Sequence, residues 1–150
     1  MDMGKATFYT HVADRSRFIC RLSQRVVESG GRVLVWSDSV GELERVDADL
    51  WRFPPEGFLP HEFWQGGAYP SDVPVVLAAG VSDGLLSVPD SSVVVLNLSP
   101  YFWCQAATPP DRVLEIVGES LEELAEARDR LRAYKASGFE IEHHTMQGKA

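Results

Sequence analysis

The sequence has little positive charge. Lys and Arg together number 14 against 22 Asp and Glu, which gives a formal net charge of −8 over 150 residues. A broad nucleic-acid surface requires an excess of clustered Lys and Arg, so this composition argues against one. We expect contact with DNA to be indirect at most, or to depend on one local basic patch.

Long hydrophobic runs are also absent. The longest apolar runs, near Val73 and Val93, are far too short to span a bilayer, and Met1–Lys5 contains no apolar signal region. We therefore expect no membrane association and a cytoplasmic location, where the two cysteines would stay reduced. Cys20 and Cys104 both lie among apolar neighbours, which favours small core residues over reactive thiols.

The sequence lacks the glycines that let a backbone approach a phosphate. The turn after the first predicted strand, residues 11–16, contains no glycine, and no Gly-x-x-x-x-Gly-Lys segment occurs elsewhere. The four histidines show no metal-binding spacing with Cys or carboxylate partners, and His143 and His144 would point to opposite sides of a strand. Cys104 has no obvious base beside it. We therefore expect no cofactor, no metal and no catalytic residue.

What is present is an alternation of strand-like and helix-like segments. Strands are predicted at 5–10, 32–36, 73–78, 93–98 and 112–117, with an edge strand at 139–143. Helices are predicted from the N-cap Asp14 to about Ser29, from about Ser39 to Leu50, and from Ser120 to about Ser137. Such alternation predicts an α/β fold in a single domain spanning residues 1–150. We expect a three-layer sandwich with a mostly parallel sheet and helices on both faces, Rossmann-like without a nucleotide-binding loop.

A stretch rich in aromatic residues and proline interrupts this pattern at residues 51–64. It holds five aromatic rings and three prolines in fourteen residues, so it cannot form a long helix or a central strand. We expect a surface loop or a sheet edge there. Its rings either fold back as a lid on the core or form an apolar docking patch for another protein.

The last predicted helix carries cations beside an apolar stripe. Arg128, Arg132 and Lys135 share one helical face at the edge of that stripe. One interpretation is a solvated, salt-bridged helix. The other is a small basic groove for a short acidic peptide with an apolar end and a terminal carboxylate. The stripe itself comprises Leu121, Leu124, Leu131 and Tyr134.

The residues in order resemble the chi subunit family of bacterial DNA polymerase III. The similarity covers nearly the whole chain, and the order and spacing of its pieces make it specific. The matching pieces are Ala6–Tyr9, Gly31–Val35, Asp49–Trp51 with Gly57–His61, Arg112–Val117, and Ala127–Tyr134 with Gly138–Phe139.

This resemblance implies a non-catalytic accessory subunit of the clamp-loader assembly, with an α/β fold similar to nucleotide-binding proteins but without a nucleotide site. DNA-directed DNA polymerase activity would belong to the holoenzyme that the subunit joins. Members of the family bind the psi subunit on one side, and on another they hold the acidic C-terminal tail of single-stranded DNA-binding protein.

The resemblance also implies which residues meet these two partners. Trp51 and Phe58 match the aromatic positions of the psi-facing surface, with Pro60 and His61 as neighbours. The side that binds the tail is implied to comprise Val117, Leu124, Arg128, Leu131 and Arg132.

One departure from the family pattern falls on this tail-binding side. A branch of the family has a lysine one turn before the arginine and a tyrosine just before the second basic position, where this chain has Leu124 and Leu131. One cation is therefore missing. Arg130 or Lys135 are the candidates to compensate for it.

An enzyme is the alternative function. It would be a hydrolase or a nucleotide-dependent α/β protein with a site at the carboxyl ends of the strands. His11, Asp14 and Asp38 are predicted to lie near such a site.

Overall fold

A computed structural model describes residues 4–52, 59–64, 69–79, 92–100, 103 and 110–147. The predictions made for Phe58 and Cys104 lie outside these residues. The strands are β1 (Lys5–Thr10), β2 (Val33–Ser37), β3 (His61–Phe63), β4 (Val75–Ala79), β5 (Val94–Asn97), β6 (Arg112–Ile116) and β7 (Glu140–Thr145). The helices are α1 (Arg15–Glu28), α2 (Val40–Arg52) and α3 (Leu121–Ala136).

The strands form one seven-stranded sheet in the order β3-β4-β2-β5-β6-β1-β7. Every neighbouring pair is parallel, which confirms the predicted parallel sheet. β5 is central and fully buried, as its apolar run predicts, and β7 lies at one edge, as its alternation predicts. β4 begins directly after Pro74, because proline is tolerated at the entry to a strand but not in its middle.

The aromatic stretch begins differently from the prediction. Trp51 and Arg52 are the last two residues of α2, so the expectation that this helix ends at Leu50 is wrong by two residues. Proline is the residue that interrupts a helix, and the first prolines of this stretch are Pro54 and Pro55. The helix can therefore continue through Trp51 and Arg52. Further along, His61–Phe63 forms the edge strand β3, in agreement with the loop-or-edge prediction.

Helices cover both faces of the sheet. On one face α1 and α2 bury their apolar stripes, which include Phe18, Leu22 and Leu43. On the other face α3 packs over a second apolar cluster that includes Phe8 and Trp36. The predicted three-layer sandwich is therefore confirmed, and each α-helix lies where its amphipathic pattern requires.

Cys20 lies inside the first of these layers. Its side chain is 7% exposed, and burial raises the pKa of its thiol to about 12. A thiol so protonated is a poor nucleophile, which confirms the prediction of a small core residue.

The ends of α3 form as the sequence predicts. The Ser120 hydroxyl accepts a hydrogen bond from the backbone N–H of Glu123, and the Glu123 carboxylate accepts one from the backbone N–H of Ser120. The chain leaves the helix through Gly138, whose φ of 90° a residue with a side chain rarely adopts.

The predicted packing stripe of α3 is wrong at its first member. Leu121 is 86% exposed, because α3 starts at the carboxyl end of the sheet and its first turn lies at the rim of the strands. Leu124 and Leu131 are partly buried, and Tyr134 is fully buried. Arg130, which the apolar pattern omits, is 5% exposed and completes the packed face.

Arg130 is buried because it pairs with a buried glutamate of β6. Its Nε donates to the carboxylate of Glu115 at 2.8 Å, and that carboxylate also accepts from Asn97 Nδ2 at 2.9 Å and from the Tyr134 hydroxyl at 2.6 Å. Burial raises the pKa of Glu115, and the Arg130 charge opposes that rise. The network thus ties α3 to two central strands.

Arg130→Ala should lower the free energy of unfolding by about 3–5 kcal/mol, because it leaves the Glu115 carboxylate buried without its cation. The matched control is Arg128→Ala, which removes an exposed arginine of the same helix and should change stability by less than about 0.5 kcal/mol. Urea denaturation followed by circular dichroism measures both. Equal stability losses for the two variants would contradict this assignment.

Candidate functional site

A pocket of about 320 Å³ lies between α3 and the strands β1 and β7. Apolar side chains from both walls form its interior, and one arginine and two histidines supply its ionisable groups. None of the described lining residues is acidic, although the chain as a whole has a net charge of −8. The lining consists of Phe8, Thr10, His11, Leu124, Ala127, Arg128, Leu131 and His143.

Three of the residues predicted to bind the tail line this pocket together. Leu124 and Leu131 are partly buried against the sheet, and Arg128 between them is exposed. In the part of the chain that the structure describes, Arg128 makes no hydrogen bond or ion pair. Its guanidinium is therefore available to an anionic ligand.

The other two predicted tail residues lie outside the lining. Val117 is 2% exposed and belongs to the core beneath α3. Arg132 is exposed, and its guanidinium lies 3.5 Å from the carboxylate of Asp129. Arg130 cannot replace the missing cation, because its side chain is committed to Glu115 inside the protein.

Strand and turn residues form a polar side of the pocket that the sequence reasoning missed. The hydroxyl oxygen of Thr10 lies 2.8 Å from His143 Nε2 and 3.3 Å from His11 Nδ1, so one hydroxyl links two imidazoles. The alternation of side chains along the strands could have predicted this arrangement, because it places Thr10 and His143 on the same face of the sheet as the buried Phe8. His144 points to the opposite face, as predicted, and its ring stacks on Tyr9 with centroids 5.4 Å apart.

A second surface lies at the end of α2. Trp51 is 64% exposed, and its ring meets the ring of His61 edge to face, with centroids 5.5 Å apart. The His61 side chain is only 2% exposed. Its Nδ1 lies 2.8 Å from the carbonyl oxygen of Leu59, and its Nε2 lies 2.8 Å from the carboxylate of Asp47. His61 thus supports the tryptophan from below, while Pro60 beside it is exposed.

The two surfaces occupy opposite ends of the sheet. The aromatic surface adjoins β3 at one edge, and the pocket adjoins β7 at the other. Strands in a sheet lie about 4.8 Å apart, so seven strands separate the surfaces by roughly 30 Å. Since α2 and α3 also lie on opposite faces, the two surfaces are separate sites.

The residues predicted for an enzyme site are not brought together. His11 lines the pocket under α3, whereas Asp38 lines a separate hollow beside Arg15 and Arg130. Asp14 accepts a hydrogen bond from the backbone N–H of Arg17 and caps α1. Among the described residues, no group of three His, Cys, Asp or Glu side chains is placed to hold a metal ion. The helices described are also too short or too polar to cross a bilayer.

The fold and these surfaces define an α/β protein of Rossmann-like architecture in which the first strand–helix turn carries a histidine and an aspartate N-cap in place of phosphate-binding glycines. The family model described as "DNA polymerase III chi subunit, HolC" matches residues 3–142. The chain therefore belongs to the DNA polymerase III chi subunit family.

Two relatives named "DNA polymerase III subunit chi" support this membership. The protein from Pseudomonas aeruginosa is 27% identical over 135 residues, which cover 88% of this chain and 87% of the relative. The protein from Escherichia coli (strain K12) is 29% identical over 161 aligned positions, which cover 97% of this chain and all of the relative.

Asp47→Ala should lower the free energy of unfolding by about 1–3 kcal/mol, because the buried His61 ring loses a hydrogen-bond partner. Glu44→Ala, one turn earlier on the exposed side of α2, is the matched control and should change it by less than about 0.5 kcal/mol. Calorimetry of thermal unfolding compares the two variants. An unchanged unfolding temperature for Asp47→Ala would contradict the support assigned to His61.

Proposed function

We propose that this protein is a non-catalytic accessory subunit of the DNA polymerase III holoenzyme in DNA replication. It bridges the psi subunit of the clamp-loader complex to the C-terminal tail of single-stranded DNA-binding protein, while polymerase activity belongs to the holoenzyme. Residues 1–150 act as one domain in the cytoplasm, without a cofactor and with no more than indirect contact to DNA. The single observation that carries the proposal is the presence of two unlike exposed surfaces on opposite edges of one sheet.

The pocket under α3 has the chemistry that an acidic tail requires. Phe8, Ala127 and Leu131 offer an apolar interior for the last side chain of the tail. Arg128 at the rim suits a terminal carboxylate, since arginine binds carboxylates through paired N–H donors. With a single permanent cation and open access to solvent, the affinity should be modest and sensitive to salt.

The aromatic surface has the character of a protein anchor. Exposed tryptophans are enriched among residues that dominate binding energy, because a large rigid ring buries much area at low entropic cost. Trp51 is such a ring, and His61 holds it from below. We assign psi binding to Trp51, with Phe58, Pro60 and His61 as neighbouring positions.

Arg128→Ala should weaken binding of a synthetic tail peptide by roughly tenfold or more, because a charge-assisted carboxylate contact is lost. The affinity for psi should stay unchanged. Isothermal titration calorimetry with each partner measures both values, and Lys135→Ala serves as control, because it removes an exposed cation of α3 that does not line the pocket. Equal losses for both partners would argue against two separate sites.

Trp51→Ala should abolish copurification with psi, since loss of a central aromatic anchor costs about 2 kcal/mol or more of binding energy. Tail-peptide binding should persist. Val40→Ala provides the control, because Val40 is an exposed apolar residue at the other end of the same helix. Recovery of psi with the Trp51 variant at normal yield would refute the assignment.

A further inference from the structure

The pocket under α3 has two sides of different chemistry. The helix side contributes one permanent cation, Arg128, where the family resemblance leads us to expect two. The strand side contributes His143 and His11, which are joined through the hydroxyl of Thr10. A carboxylate that enters the pocket therefore meets a fixed charge on one side and two titratable rings on the other.

We propose that His143 and His11 form the second half of the carboxylate-binding site, so that the pocket holds an acidic peptide terminus more tightly as the pH falls. This inference depends on the proposed function, because it takes the C-terminal tail of single-stranded DNA-binding protein as the occupant. In this proposal, His143 of β7 and His11 of the β1–α1 turn supply the positive charge that a lysine in place of Leu124 would supply.

The charges around the pocket give this proposal its direction. Arg128 lines the same pocket as both imidazoles. A bound carboxylate attracts an imidazolium, and it therefore favours the charged form of each ring. Binding should therefore be accompanied by proton uptake, and by linkage the affinity must rise wherever the imidazoles become charged.

Among the described residues that line the pocket, Arg128 is the one charged group besides the two histidines. β1 presents Phe8 and Thr10 to the pocket, and both are uncharged. From α3, only Arg128 among the charged residues belongs to the lining. Glu142, the neighbour of His143 on β7, is bonded to Lys5 and His144 on the opposite side of the sheet.

The hydroxyl of Thr10 can form a hydrogen bond with His143 whether the imidazole ring is neutral or protonated. A neutral His143 ring can accept the hydroxyl proton at Nε2, and a protonated ring can donate from Nε2 to the hydroxyl oxygen across the same 2.8 Å. Protonation therefore needs no rearrangement of the pocket. Since histidine ordinarily changes charge between about pH 5 and pH 8, the effect falls in an accessible range.

Calorimetry at about pH 5.5 and about pH 8 tests the proposal, because tail carboxylates stay ionised at both values whereas imidazoles do not. The probe is a synthetic peptide with the C-terminal sequence of single-stranded DNA-binding protein, and the same peptide with an amidated C-terminus is its control. The intact protein should bind the free-acid peptide roughly three- to tenfold more tightly at the lower pH. Buffers of different ionisation enthalpy should reveal proton uptake.

His143→Gln should abolish most of this pH dependence, because glutamine stays uncharged at both pH values. His11→Asn should reduce the remainder, and asparagine suits this position because the φ of His11 is 60°. His144→Gln is the matched control: it removes the neighbouring imidazole from the opposite face of β7 and should keep the full pH dependence.

The possible outcomes separate this inference from the proposed function. Tail binding of equal strength at both pH values, or pH dependence that disappears equally in His144→Gln, would overturn the role of His143 and leave the tail pocket standing. Failure of the peptide to bind at either pH would overturn both.

Discussion

The ion pair between Glu115 and Arg130 is the constraint on which the rest of this structure depends. Both groups are almost completely buried, and a buried charge is tolerated only when its partner and hydrogen bonds are in place. Asn97 and Tyr134 donate the remaining hydrogen bonds to the Glu115 carboxylate. The network fixes the position of α3 over β5 and β6, and hence places Arg128, two residues before Arg130, at the rim of the pocket instead of in the core.

With α3 held in place, the parallel sheet separates two surfaces of different character. The described residues that line the pocket between α3 and β7 include no acidic side chain, although the protein has a net charge of −8. The pocket is therefore a local basic site on an acidic protein. At the far edge, Trp51 extends into solvent at the end of α2 over a buried, hydrogen-bonded His61. A rigid sheet that keeps these surfaces apart suits the proposed role, in which an accessory subunit contacts two proteins at once.

Most of the fold can be predicted from local sequence patterns, whereas the candidate site can be predicted only in part. Apolar runs and the caps Asp14 and Ser120 predict strands and helices, because these signals depend on near neighbours. The exposure of Leu121 and the burial of Arg130 depend on where α3 meets the sheet rim and on a glutamate fifteen residues away, which no helical period reveals. His143 is exposed on an edge strand, and its place beside Arg128 in the pocket lining arises only because β7 pairs with β1.

The central claim is that the two surfaces act independently, and one titration tests it most directly. The affinity of the tail peptide should be measured with this protein alone and again with its preformed complex with the psi subunit. Independent surfaces predict the same dissociation constant in both experiments and a stable complex of all three components. Displacement of the peptide by psi, or of psi by the peptide, would contradict the account.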